Sequence, residues 1–244
     1  MIDFFTTGHF AAMLIGAKTT LYLAFSAVIL GFLLAMGFAL LELSRFRFVR
    51  WPVTFIVSII RSLPELIVIF LIGIGIPYLF LNYEDAWLPS KMHDLSNALF
   101  GHDFEFSFFW LGVIALSLIY ASYASQTIRG ALLAVPKTQW HSGAVLGLSK
   151  TSTFFYIILP QMWRHAFPGL GNQWLVLLKD TALVSLIAIE EIMQKTDYAF
   201  TSTGDGFTWY GLAALIYLAI SLVSQKLQEK LYNRMTAYER EPAV

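Results

Sequence analysis

Cysteine is absent from the 244 residues, which excludes a disulfide-stapled secreted domain, thiol catalysis and cysteine metal sites. Charge is scarce. Asp, Glu, Lys and Arg make up 13% of the chain, about half the roughly 25% usual in soluble domains. Net charge is zero, with 16 basic residues against 16 acidic, so no strongly basic surface for nucleic acid is expected. A phosphate-binding loop is also missing: Gly147-Leu148-Ser149-Lys150-Thr151 lacks the first glycine of G-x-x-x-x-G-K-[ST]. His9, His93, His102, His141 and His165 show no paired metal-ligand spacing, and no metal is assigned. What the chain has in plenty is apolar. Hydrophobic residues make up 57%, above the roughly 45–50% of soluble domains, and mean hydropathy is +0.65. That excludes a disordered chain and points to an all-α polytopic membrane protein, with residues 1–244 as a single transmembrane domain.

A spanning helix needs about 20 apolar residues. Residues 19–41, 106–128 and 207–225 each meet this without a charge. Two further segments are apolar but interrupted. Residues 51–80 contain Arg61, Pro64 and Glu65, and residues 166–189 contain Lys179 and Asp180 behind Pro168, Gly169 and Gly171. Taking both as spans gives five helices, with the termini on opposite sides. Eleven basic residues then share one side: Arg45, Arg47, Arg50, Arg129, Lys137, Lys150, Arg164, Lys226, Lys230, Arg234 and Arg240. Lys91 and Lys195 share the other. The positive-inside rule places the basic side in the cytoplasm, so the N-terminus is outside and the C-terminus inside. The acidic residues Asp3, Glu84, Asp85, Asp94, Asp103, Glu105, Glu190, Glu191, Asp197 and Asp205 fall mostly on the outer side. Trp51, Trp87, Trp110 and Trp209 lie near span ends, where tryptophan is enriched.

Charges at membrane depth are rare, costly and usually functional. Four are present: Arg61, Glu65, Lys179 and Asp180. Arg61 and Glu65 are four apart and would face each other on an unbroken helix. Pro64 between them removes a backbone hydrogen bond and can kink that helix. Two readings stay open: a charged cavity lining at a broken helix, or an ion pair that holds the kink. Lys179 and Asp180 are adjacent, so their side chains point different ways. Asp180 either faces a cavity or pairs with a partner subunit.

The connection at about 130–160 is long for a simple turn. Its short apolar stretches, separated by Gly143, Gly147 and Ser149, suit short helices lying on the membrane or on another protein. Its pattern resembles the cytoplasmic signature of ABC-importer permeases, E-A-A-x3-G-x9-I-x-L-P. Here the triplet is His141-Ser142-Gly143, followed by Gly147 and then Ile157, Leu159 and Pro160 at matching spacing. Histidine stands where the family has glutamate. Arg61-Ser62-Leu63-Pro64-Glu65 resembles the R-G-x-P element of polar amino-acid permeases, with Ser62 for glycine. Gly169-Leu170-Gly171-Asn172-Gln173-Trp174 and the run Leu178–Leu186 are similar to the histidine and arginine branch of that family.

The resemblance implies a five-helix type I importer permease in the bacterial inner membrane. It implies a heterodimer with a second permease subunit and two cytoplasmic ATP-binding subunits docked around His141–Gly147. A periplasmic amino-acid-binding protein would deliver the substrate. ATP and magnesium belong to the ATP-binding subunits, and no cofactor is assigned to this chain. The implied cargo is a cationic amino acid, arginine first, with histidine, lysine and ornithine as alternatives. A guanidinium favours a carboxylate with two-pronged geometry. Glu65 and Asp180 are the carboxylates at membrane depth, Asn172, Gln173 and Thr181 are neutral polar neighbours, and either Arg61 or Lys179 would take the substrate carboxylate. From the charges alone, a membrane-embedded enzyme using Glu65, Asp180 and Lys179, or a channel lined by them, are the rival classes. Neither needs a docking segment like the one around Gly147.

Overall fold

The structure, a computed structural model, describes residues 8–82, 90–92 and 107–237. The described residues form helices and connections, with no strand among them. Helix α1 is His9–Glu42, α2 is Arg47–Ser62, and α3 is Glu65–Asn82 with a π-turn at Leu71–Gly75. Helix α4 is Phe108–Ala134, followed by the short helices α5, Thr138–Val145, and α6, Lys150–Thr153. A π-turn at Phe154–Ile158 leads into α7, Leu159–Asp180. A 3-10 turn, Thr181–Ile187, then leads to α8, Ile192–Thr203, and α9, Gly206–Met235. Among the described residues, four helices (α1, α3, α4 and α9) are long and apolar enough to cross a membrane.

Helices α1 and α4 form the spine. The buried face of α1 carries Gly16, Thr20, Ala24, Ala27, Gly31, Ala35 and Ala39, small residues three or four apart. Helix α4 answers with buried Gly112, Ala115, Ser117, Ala121, Ala124 and Ser125. Small residues let the two backbones approach closely, which is how helices associate where lipid gives no hydrophobic drive. A Cβ at Gly31 would lie 2.9 Å from the Ser117 carbonyl oxygen. Helix α7 packs on α4 through Met162, Ala166, Leu170, Leu177 and Leu178. Helix α9 is peripheral: Trp209 and Ala213 join Met13, Ile192 and Ala199 in a second apolar cluster. Exposed Leu and Ile on the outward faces match a lipid surround rather than water.

Two expected spans take a different form. Residues 51–80 are two helices, broken at Leu63-Pro64. Leu63 is extended, at φ −84° and ψ 142°, because proline drives the preceding residue out of the helical region. The proline therefore ends α2 rather than kinking it. The segment expected at 166–189 begins earlier, at Leu159, and gives way to a 3-10 turn after Asp180. It is not one of the four apolar helices, since Arg164, His165, Lys179 and Asp180 dilute it. The first helix also starts about three turns before the uncharged run, at His9. Most of the 81–105 loop, with Trp87, Pro89, His93 and His102, lies outside the described residues, as do Asp3, Phe106 and Arg240. The N-terminus of α9 is capped by Asp205, which accepts from Thr208 N at 3.1 Å; hydrogen bonding from the Thr208 hydroxyl, and then from its backbone N–H, holds the Asp205 carboxyl below the usual carboxylate range.

Candidate functional site

Helix α3 opens with Glu65 in its first turn, directly after the Pro64 break. The helix is anchored by Gly73 in the π-turn, whose missing side chain makes room for Ile187. A Cβ there would lie 2.7 Å from Ile187 Cδ1. Ile187 ends the 3-10 turn that begins one residue after Asp180. This packing brings Glu65 within electrostatic reach of Asp180. Both carboxylates are half-buried, while neighbouring Lys179 is exposed. Two carboxylates thus lie near the meeting point of two helix ends, where the start of α3 packs on the 3-10 turn. The free backbone N–H groups that open α3 are there as well.

Of the two readings left open for Arg61 and Glu65, the ion pair is not found among the described residues. The break at Pro64 takes the two residues off a common helix face. Arg61 instead lies over the Tyr123 ring, 5.4 Å from its centroid, while the Tyr123 hydroxyl donates to the Arg61 carbonyl at 3.4 Å. Thr181 is buried, and its hydroxyl donates to the Leu178 carbonyl at 2.6 Å, so its proton is committed to its own helix end. Asn172 is exposed on α7. It precedes Asp180 by eight residues, about 12 Å along the axis. Of the predicted binding residues, then, the fold brings together Glu65 and Asp180, keeps Thr181 beside them with its hydroxyl turned inward, and sets Asn172 and Arg61 apart.

The connection after α4 folds as two short helices, as its apolar stretches suggested. Its two glycines do different work. Gly143 is buried and abuts Thr153, where a Cβ would overlap the threonine side chain. Gly147 has open space around it but sits at φ +73°, a backbone shape that L residues avoid. The Leu148 N–H donates to the Gly143 carbonyl at 3.0 Å and the Gly147 N–H to the Ala144 carbonyl at 3.0 Å. These bonds are the Schellman closure of a helix C-terminus. Ser149 then caps α6 by accepting from Ser152 N at 3.1 Å. His141 and Ser142 are exposed on α5. Beyond them Val145 and Leu146 are 87% and 72% exposed. The motif residues Ile157, Leu159 and Pro160 lie where the π-turn becomes α7.

Sequence reasoning treated Glu191 as one of several outer-side acids. In the structure it is fully buried. Its Oε1 accepts from Gln194 N at 3.0 Å, capping α8, and its Oε2 accepts from the Tyr217 hydroxyl at 2.6 Å. The Thr20 hydroxyl stands 3.4 Å from Oε2 and accepts from Ile192 N at 3.3 Å. Gly16 lets α1 approach this turn: a Cβ there would lie 3.0 Å from the Glu191 carbonyl. The available signal was Glu191 preceding Gln194 by three, the spacing of a helix cap.

Long apolar helices, a broken helix carrying charge, and an exposed helical connection together define the membrane component of a transporter. The chain belongs to the family of binding-protein-dependent transport system inner membrane components, whose pattern matches residues 27–237. It is 48% identical over 251 residues to the arginine ABC transporter permease protein ArtQ of Escherichia coli K12, covering 100% of both chains. It is 50% identical over 228 residues to ArtQ of Haemophilus influenzae, covering 93% of this chain and 95% of that one. The histidine/lysine/arginine/ornithine transport system permease protein HisQ of Salmonella typhimurium is 35% identical over 217 residues, covering 89% of this chain and 90% of HisQ. Among solved structures, an amino acid ABC transporter with histidines superposes with a TM-score of 0.76 at 26% identity, covering 96% of this chain and 99% of that one. The MetNI methionine ABC transporter, at 16% identity and a TM-score of 0.67 over 92% of this chain and 96% of that one, shares the fold.

Proposed function

We propose that this chain is a transmembrane permease subunit of an ATP-driven importer of arginine, forming half of the translocation path in the inner membrane. The observation that carries the reading is the approach of Glu65 and Asp180 at the break before α3. Two carboxylates lie within electrostatic reach of each other there, with Arg61 over the Tyr123 ring. The pair suits a cargo that brings a guanidinium, whose planar donors match carboxylates. The full-length likeness to arginine permeases supports the same cargo. Histidine, lysine and ornithine are the alternatives, since HisQ is also similar. The half-exposed carboxylates fit a path completed by a second permease subunit, and that core is a heterodimer. A periplasmic binding protein delivers the amino acid. The test is reconstitution in liposomes with ATP-binding subunits and binding protein: labelled arginine accumulates, and equal lysine or histidine displaces it weakly.

ATP-binding subunits dock on α5, where Val145 and Leu146 stand exposed beside His141. ATP and magnesium sit on those subunits, and this chain contributes no catalysis of its own. Gly147→Leu would force a side chain into the left-handed region at a cost of about 1–2 kcal/mol. We expect docking roughly 5- to 30-fold weaker, ATP hydrolysis uncoupled from transport, and normal membrane insertion. Normal coupling in that variant overturns the docking assignment.

In this reading α7 is the fifth crossing, carrying its charges into the path, with the N-terminus outside. Charge asymmetry supports that orientation. A cysteine introduced at Asp197 labels from outside in intact cells, and one at Lys137 labels only after permeabilisation. Labelling at Lys137 in intact cells reverses the topology.

A further inference from the structure

At the C-terminal end of α1, Glu42 is 2% exposed and only half satisfied. Its Oε2 accepts from Gln126 Nε2 at 2.7 Å, and its Oε1 has no hydrogen-bond partner among the described residues. A buried carboxylate oxygen without a donor is expensive, and native structures supply the missing partner. Glu42 lines a cavity of about 570 Å³ shared with Arg50 and Arg129. Neither arginine has a carboxylate within 4 Å among the described residues. The rest of the wall includes Trp51, Phe55 and Leu133, all more than 60% exposed at the outer surface of the bundle.

We propose that this cavity binds the headgroup of a phosphatidylethanolamine molecule. Its phosphate lies between Arg50 and Arg129, and its ammonium donates to Glu42 Oε1. Its acyl chains run down the apolar rim of Trp51, Phe55 and Leu133. Three features favour a lipid over a soluble ion or amino acid. The site lies at the C-terminal end of α1, a helix long and apolar enough to cross a membrane. No ion pair within 4 Å joins its arginines to Glu42, which suits a ligand with phosphate at one position and an N–H donor at another. Its rim is apolar and open, which a water-borne ligand does not need. The unsatisfied oxygen makes the choice among lipids specific: choline carries the same charge as ethanolamine but has no N–H to give.

The experiment presents the intact complex in detergent with equimolar dioleoyl-phosphatidylethanolamine and dioleoyl-phosphatidylcholine and counts retained lipid by native mass spectrometry. Wild type should retain phosphatidylethanolamine about tenfold over phosphatidylcholine, the lower range for one charge-assisted hydrogen bond. Glu42→Gln should bring that ratio near one. The double variant R50Q/R129Q should weaken retention of both lipids. Soluble phosphoethanolamine at equal concentration should not displace the bound lipid. A wild-type ratio near one, an unchanged ratio in Glu42→Gln, or displacement by the soluble headgroup overturns the proposal. The wild-type ratio decides even if Glu42→Gln fails to assemble.

Discussion

Asp180→Asn and Glu65→Gln should each lower arginine uptake roughly 10- to 150-fold while the complex still assembles. That range corresponds to losing one charge-assisted contact of about 1.5–3 kcal/mol. Both substitutions keep size and hydrogen-bonding capacity and remove only charge. A purely structural role predicts something else. If Glu65 were there to neutralise Arg61, removing it would leave an unpaired cation and the complex would misassemble. The structure weakens that alternative, because Arg61 rests on the Tyr123 ring rather than on Glu65. Asp180 has Lys179 beside it in sequence, but Lys179 is exposed and loses little when its neighbour is neutralised. Two measurements separate the cases: yield of the assembled complex, and arginine uptake by what assembles. Lost assembly supports the structural role. Full assembly with unchanged uptake would move the cation site to the partner subunit.

How much of this was readable beforehand depends on distance along the chain. The apolar runs behind α1, α4 and α9 are contiguous, so hydropathy found them. The segment around Pro64 was ambiguous because one proline allows either a kink or a stop. The extended Leu63 decides for a stop, and that in turn separates Arg61 from Glu65. The helical connection was readable from its glycines, but their roles were not. Gly147 needs a positive φ, which is a local property. Gly143 needs space beside Thr153, ten residues away, which only the folded hairpin of α5 and α6 reveals. The approach of Glu65 to Asp180 spans 115 residues and rests on Gly73 meeting Ile187. Neither pattern nor composition encodes that contact. Glu191 and Glu42 were hidden for the same reason: the donors that define them, Tyr217 and Gln126, lie far off in sequence.

Glu191→Ala should destabilise the complex, whereas the carboxylate-pair changes should leave its assembly intact. The substitution removes the N-cap of α8, worth about 1 kcal/mol. It also leaves the Tyr217 hydroxyl buried without its acceptor, a further loss of about 1–3 kcal/mol. Together these should lower the melting temperature of the complex by roughly 5–15 °C for a chain of this size. The carboxylate ties three elements at one point: α1 through Gly16 and Thr20, α9 through Tyr217, and the turn that links the 3-10 segment to α8. That same 3-10 segment carries Ile187, on which α3 and Glu65 rest, so loosening Glu191 should also relax the approach of Glu65 to Asp180. Glu191→Gln keeps an acceptor for Gln194 N and should recover most of the stability. Tyr217→Phe supplies the control. Introduced into wild type it should cost a measurable fraction of the Glu191→Ala effect. Introduced into Glu191→Ala it should cost much less, since the hydroxyl it removes has already lost its carboxylate acceptor and keeps only Thr181 and Thr20 as neighbours. A Glu191→Ala complex that melts with wild type, or additive effects of the two changes, would show that this buried cluster does not hold the three elements together.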